Sequence, residues 1–150
     1  MKIEKLFKLL NEKRVKYLII GAHACAAHGH VRATGDVDIL IDTSVDNIER
    51  TRIALEAFGY DTAGASDEDF KTKKLLFRQY WLDTDIHPSA KGISTRTALK
   101  NRIPGLYADV RTFFASLNDL IKMKRAAGRP KDKDDLRYLL EIRRQKKLKK

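Results

Sequence analysis

The sequence feature that most constrains the fold is a short run in which aspartates alternate with, and then give way to, apolar side chains. It reads Asp36-Val37-Asp38-Ile39-Leu40-Ile41-Asp42. Because successive side chains of a β-strand point to opposite faces, Asp36 and Asp38 share one face of the predicted strand. Two residues of rise separate them by roughly 6–7 Å. Both carboxylates can therefore reach one divalent cation or a close pair of cations.

Two acids that alternate on a strand are also common on a solvated strand face, and this is the simpler interpretation. The local context favours the site. The flanking apolar residues suit a strand that is buried on both faces, where a carboxylate is costly unless it is paired or metal-bound. Upstream, residues 16–20 predict a strand that turns at Gly21 into a short helix over 22–28. Such a turn presents free N–H groups to phosphate.

These residues resemble the nucleotidyltransferase superfamily that includes DNA polymerase beta, and most of all its small bacterial branch near the abortive-infection toxins. The superfamily motif is a hydrophobic residue, Gly, then Gly or Ser, a helix and a D-x-D strand. Here the motif maps onto Ile20-Gly21-Ala22 and Asp36-Val37-Asp38, with Ala22 where Gly or Ser is usual. The resemblance implies an α+β fold with a small mixed β-sheet flanked by helices and followed by C-terminal helices.

The superfamily carries its third carboxylate on a later strand. We expect two strands at 73–77 and 80–86, paired as a hairpin, and Asp83 and Asp85 share one face of the second. Asp85 is our candidate for the third carboxylate, and Asp83 is the alternative. An exposed acid on an edge strand remains the simpler interpretation of either residue.

The C-terminal part supplies candidate phosphate contacts. Lys124 and the segment 131–136, Lys-Asp-Lys-Asp-Asp-Leu, are similar to the ending of the same bacterial branch. The resemblance implies that Lys124 reaches nucleotide phosphate and that the aspartates fix Arg or Lys side chains around the site. Arg32 is placed to hold a triphosphate, since a guanidinium binds phosphate bidentately. The alternatives are a surface arginine and a charged helix surface.

Length and composition add few further limits. The 150 residues predict one domain, over 1–142, followed by a basic segment at 143–150. The net charge is +11, and that segment either contacts nucleic acid or is a solvated helix end. Cys25 is the only cysteine and no apolar stretch is long enough for a bilayer, so we expect a cytoplasmic protein with no membrane partner. His23, His28 and His30 lie close together in the sequence, but no cysteine or acid completes a zinc ligand set with them, so we do not expect a zinc site.

Apolar periodicity and cap residues indicate further elements. Helices are expected at 2–13, 45–58, 117–127 and after 130, and a strand at 110–114. Residues 64–69 are expected to form a loop, and 89–109 a loop with one helical turn or short strands.

The resemblance implies a metal-dependent enzyme that transfers a nucleoside monophosphate from a nucleoside triphosphate to a hydroxyl group of RNA, protein or a small molecule. Mg²⁺ or Mn²⁺ would be held by Asp36, Asp38 and Asp85, which are also the catalytic candidates. The nucleotide would contact the residues Gly21, Ala22, Arg32 and Lys124. The alternative is a non-catalytic nucleotide- or nucleic-acid-binding relative, such as one component of a toxin–antitoxin pair. A homo-oligomer or a partner protein would complete the acceptor site of so small a transferase.

Overall fold

The fold is described from a computed structural model, which covers residues 3–79 and 82–149. Its helices are α1 (Ile3–Glu12), α2 (Gly21–Ala27), α3 (Val45–Phe58), α4 (Asp67–Thr72), α5 (Thr95–Asn101), α6 (Leu117–Ala127) and α7 (Pro130–Leu148). Its strands are β1 (Tyr17–Ile20), β2 (Asp36–Ile41), β3 (Leu75–Phe77), β4 (Asp83–His87), β5 (Ile103–Tyr107) and β6 (Val110–Phe114). None of these helices combines the length and the apolar character that crossing a membrane requires.

The strands form one mixed sheet in the order β3-β4-β2-β1-β6-β5. β2 runs parallel to β4 and antiparallel to β1, while β1 is parallel to β6. The hairpins β3–β4 and β5–β6 form the two edges of the sheet. The fold is therefore α+β with a small mixed sheet, as the resemblance implied.

The central strands β1 and β2 carry the core. All residues of β1 are buried, and so are the last residues of β2 from Ile39 to Ile41. Helix α1 covers this sheet with Leu6, Phe7 and Leu10, and the ring of Phe7 stacks near that of Tyr17. The apolar runs of β1 and β2 are buried on both faces because these strands lie in the middle of the sheet.

Helix ends follow the cap residues of the sequence. The Ser44 side chain accepts a hydrogen bond from the backbone N–H of Asn47 at the start of α3, and Ser116 does the same for Asp119 in α6. Gly59 and Gly128 follow the last residues of the same two helices, as expected. Within the predicted second strand, the described residues from Asp83 onward form β4, while the expected start at Tyr80 lies outside the described residues.

Two loop predictions need correction. Residues 67–72 form α4, because Ser66 and Asp69 make a reciprocal capping box that starts a helix in a polar stretch. The segment 89–109 contains all of α5 and β5, which is more regular structure than the sequence suggested. The basic segment from Arg143 is a continuation of α7 up to Leu148, and the domain boundary at residue 142 stays a prediction.

Candidate active site

The parallel pairing of β2 with β4 sets four aspartates side by side. Asp36 lies opposite Asp83, and Asp38 lies opposite Asp85. Residues directly opposite in paired strands project to the same face, so the carboxylates form a two-by-two arrangement, here called the carboxylate array. The side chain of Asp85 is 2% exposed and that of Asp83 is 40% exposed. Asp85 is therefore the deeper of the two candidates for the third carboxylate.

Two cations from β3 and its ends contact this array. Arg78 Nη1 lies 2.7 Å from Asp85 Oδ1, and its other nitrogens lie 3.8 Å from Asp83 and 4.0 Å from Asp36. Lys74 Nζ lies 3.5 Å from Asp85 Oδ2. Sequence reasoning missed both residues. The sequence offered only the even interval between Lys74 and Arg78, which places both on one face of an extended chain.

His87 lies on the same strand face as Asp83 and Asp85, as the alternation predicts, but it was not among the predicted site residues. Its Nε2 is 2.8 Å from Asp38 Oδ1, two residues beyond Asp85 on the same face of β4. Burial acts to raise the pKa of Asp38, but the hydrogen bond and charge of His87, together with Lys74, outweigh burial and lower it. The pKa of Asp36 is raised, by burial first and then by the charges of Asp85 and Asp38. The array thus holds more negative charge than its neighbours neutralise.

Gly21 brings the backbone against this array. Ile20 pairs with Asp38 across β1 and β2, and Gly21 follows it with φ +70° as α2 begins. A Cβ on Gly21 would overlap the Asp38 carboxylate, so a side chain there is excluded by both conformation and space. Ala22 is buried beside it. The sequence therefore needs a glycine at this turn.

Arg32 and Lys124 meet at a buried carboxylate instead of standing free. Arg32 binds Asp135 through two hydrogen bonds of 2.9 and 3.0 Å, and Lys124 Nζ lies 2.9 Å from the same carboxylate and 3.3 Å from Asp132. His30 Nε2 lies 3.0 Å from Asp135 as well. The aspartates thus hold Arg and Lys side chains in place, which ties α7 to α6 and to the loop before β2.

The three histidines before β2 are used in separate structural contacts. His28 Nε2 bonds the carbonyl of Ala115, His23 bonds the Tyr107 hydroxyl, and His30 stacks on Tyr138. Within residues 3–79 and 82–149, the one group of His, Cys, Asp and Glu with ligand atoms within 4.8 Å of one another is Asp38, Asp85 and His87.

A pocket of about 420 Å³ opens beside the array. All candidate residues of the sequence analysis except Asp83 line this pocket. They are Gly21, Ala22, Arg32, Asp36, Asp38, Asp85 and Lys124. Apolar side chains of α6, among them Leu120 and Met123, cover the opposite wall. The pocket therefore combines carboxylates, cations and an apolar surface, which are the contacts that a nucleotide and divalent ions need.

The residues fit a divalent metal on two observations. Asp38, Asp85 and His87 each offer one ligand atom within 4.8 Å of the others, and Asp85 Oδ1 is buried with Arg78 as its ion-pair partner. Burial first, and then the charges of Asp85 and Asp38, raise the pKa of Asp36, and a bound cation would favour its charged form. Carboxylate oxygens are the ligands that Mg²⁺ and Mn²⁺ prefer, and His87 offers an imidazole nitrogen at the same place.

Comparison with solved structures identifies the fold class. The lincomycin-bound lincosamide antibiotic adenylyltransferase LnuA shares 15% identity with a TM-score of 0.62, over 95% of this chain and 98% of that chain. ANT(2″)-Ia in complex with adenylyl-2″-tobramycin shares 18% identity with a TM-score of 0.62, over 91% of this chain and 84% of that chain. The fold is that of the nucleotidyltransferases.

The family assignment follows from the sequence match. The chain belongs to the family described as nucleotidyltransferase of unknown function (DUF6036), whose model matches residues 1–143. No curated protein matches the chain. The resemblance drawn from the Gly21 turn and the D-x-D strand is thereby confirmed.

Proposed function

We propose that this protein transfers a nucleoside monophosphate from a nucleoside triphosphate to a hydroxyl group. The observation that carries the proposal is that three members of the carboxylate array, Asp36, Asp38 and Asp85, line one pocket together with Arg32 and Lys124. Acids for metal ions and cations for phosphate thus line one cavity. This pairing of charges is what phosphoryl-transfer chemistry requires.

The proposed roles follow from position. Asp36, Asp38 and Asp85 would hold Mg²⁺ or Mn²⁺, with His87 beside them. Bound divalent ions supply neutralisation of the charge that develops on phosphate oxygens. The backbone at Gly21 and Ala22 would lie along the β- and γ-phosphates, while Arg32 and Lys124, oriented by Asp135, would neutralise them.

In the proposed reaction the acceptor oxygen forms a bond to the α-phosphorus, and the bond from that phosphorus to the bridging oxygen of pyrophosphate breaks. The proton of the acceptor hydroxyl passes to a carboxylate, and Asp85 is our candidate because it is buried at the pocket wall. The products are the nucleotidylated acceptor and pyrophosphate. Arg78, whose Nη1 lies 2.7 Å from Asp85 Oδ1, would hold that carboxylate in position for the transfer.

The acceptor belongs to one of three classes, namely RNA, protein or a small hydroxyl compound. LnuA is bound to lincomycin and ANT(2″)-Ia to adenylyl-2″-tobramycin, and lincomycin and tobramycin are small hydroxyl compounds. A single buried cysteine suits the cytoplasm, where all three classes occur. A second copy or a partner protein would add acceptor contacts to the open side of the pocket.

The test is incubation with each α-³²P-labelled nucleoside triphosphate and Mg²⁺ or Mn²⁺, with total RNA, total protein, lincomycin and tobramycin as acceptors. We expect label on an acceptor with the wild type and none with Asp36→Asn/Asp38→Asn. Asp85→Asn should lower transfer by at least about 100-fold, since a general base contributes about 10²–10⁴. The matched variant Asp83→Asn, outside the pocket lining, should stay near wild type.

The alternative is a binding protein without catalysis, such as one component of a toxin–antitoxin pair. Ala22 favours it, because this buried residue lies where the superfamily usually has Gly or Ser. The cation dependence of nucleotide binding separates the two functions. If Asp36→Asn/Asp38→Asn keeps wild-type nucleotide affinity in EDTA and no acceptor is labelled, the protein is a binding module. Ala22→Ser would then be the first variant to test for recovered transfer.

A further inference from the structure

A basic surface adjoins the pocket. From His87 to Asn118 the single acidic residue is Asp109, although the same stretch carries several lysines and arginines. Lys91 lies in this stretch, is exposed and lines the pocket. This stretch therefore has a net positive charge, and Lys91 carries part of it at the pocket.

Helix α6 extends this surface. A Cβ on Gly92 would meet the Lys122 carbonyl oxygen and the Ala126 methyl group, so the loop that carries Lys91 lies against that turn of α6. Lys122 and Arg125 are exposed and lie on the same face of α6, because residues three apart are neighbours on a helix. Lys131, at the start of α7, is exposed and lines the pocket too.

These four side chains, Lys91, Lys122, Arg125 and Lys131, are called the basic rim. None of them forms an ion pair with a described residue, whereas Lys74, Arg78, Arg32, Lys124 and Arg129 are all paired. Aspartates thus already compensate the cations next to the carboxylate array and Asp135. The basic rim, two of whose members line the pocket, has no such partner among the described residues, and such a surface attracts a polyanion.

We propose that the basic rim binds the phosphate backbone of an RNA acceptor and brings one of its ribose hydroxyls to the carboxylate array. The inference rests on the proposed function and names the acceptor for it. Phosphates repeated at regular spacing next to a free hydroxyl are the chemistry of an RNA strand. A polycationic amino sugar would be repelled by the rim, and an acidic protein offers no regular spacing of charge.

The test compares two charge-reversal variants of the full chain. Lys122→Glu/Arg125→Glu changes the rim, and Lys5→Glu/Lys8→Glu makes the same change of charge on exposed residues of α1, which line a separate shallow depression. Affinity for a fluorescein-labelled 20-nucleotide single-stranded RNA is measured by anisotropy from 50 to 300 mM salt. The same sequence as DNA and an acidic peptide serve as competitors. None of the four substituted residues was assigned to the reaction.

We expect the rim variant to bind RNA at least about tenfold more weakly at 100 mM salt. The slope of log K against log salt should fall by about 1.4, which is two contacts at about 0.7 each for a single strand. The α1 variant should stay within about twofold of wild type. Equal losses in both variants, or no loss in either, would overturn the rim. If DNA or the acidic peptide competes more strongly than unlabelled RNA, the rim binds that competitor and the RNA proposal is wrong.

Failure of the rim and failure of the proposed function give different results. Asp36→Asn/Asp38→Asn should bind RNA like the wild type, because these acids lie outside the rim. If the wild type binds RNA through the rim but labels no acceptor, the proposed transferase activity is wrong and the proposed RNA-binding surface stands. If the wild type labels RNA and the rim variant binds and labels RNA equally well, the proposed RNA-binding surface is wrong and the proposed transferase activity stands.

Discussion

The buried carboxylate of Asp135 offers the sharpest test of how the site is held together. Its side chain is 1% exposed, and it contacts His30, Arg32 and Lys124 at 2.9–3.0 Å. Asp135→Asn keeps the shape but removes the charge, which leaves the buried Lys124 with Asp132 alone. Removing one partner of a buried ion pair costs about 3–5 kcal/mol, and we expect the low end, about 3 kcal/mol, since Asp132 remains.

Urea denaturation at pH 7 measures this loss, and the melting temperature should fall by about 6–12 °C for a domain of this size. Asp134→Asn is the matched control on the same helix. Its carboxylate is 70% exposed and lies 3.7 Å from Arg137, so its loss should cost less than about 1 kcal/mol. If both variants unfold at the same urea concentration, the buried network does not stabilise the fold and the reasoning is wrong.

The same carboxylate predicts a pH dependence. Burial acts to raise the pKa of Asp135, but the hydrogen bonds from Arg32 and Lys124 outweigh burial and hold it well below the ordinary value. A depressed folded pKa means that the carboxylate stabilises the fold above its unfolded pKa of about 4. That stability is lost as the pH falls below about 4. The difference between wild type and Asp135→Asn should therefore shrink from pH 6 to pH 3; a constant difference would contradict the assignment.

Two further predictions concern single residues. Gly21→Ala should abolish nucleotide transfer, because the methyl group would overlap the Asp38 carboxylate and the backbone has φ +70°, whereas Gly64→Ala, with open space around it, should transfer at the wild-type rate. Retained transfer in the Gly21 variant would show that the turn relaxes. Tyr60→Phe should lower the free energy of unfolding by about 1–2 kcal/mol, since its buried hydroxyl bonds the Thr84 hydroxyl. Tyr138→Phe, half exposed, is the control in thermal melts, and equal losses would refute the argument.

The sequence predicted most of the central sheet and the pocket residues, because alternation and glycine turns are local signals. The interval between Asp36 and Asp38 showed a shared face, and the superfamily motif indicated a third acid at Asp85. What it could not show was the register that sets Asp83 and Asp85 opposite the first pair. Pairing between strands so distant in sequence depends on the whole sheet and leaves no short-range pattern.

The missed elements have physical reasons as well. Helix α4 begins at a capping box in a polar stretch, which apolar periodicity does not detect. Strand β5 contains Pro104 and Gly105, which disfavour a strand in the centre of a sheet but are tolerated at its edge. Arg78 was overlooked because an arginine after a short strand resembles any exposed cation until its carboxylate partners are known.

The aspartates lie on the paired strands β2 and β4, whereas the basic rim lies on a loop and on helices, and this difference has an evolutionary consequence. The four aspartates owe their arrangement to strands that also build the core, so a mutation that displaces them also damages the fold. Lys91, Lys122 and Arg125 instead lie on a loop and an outer helix face, where substitutions are cheap. If the basic rim selects the acceptor as proposed, substitutions there would change what this scaffold recognises and leave the carboxylate array in place. Members of one family could diverge in target without passing through an unfolded or inactive ancestor.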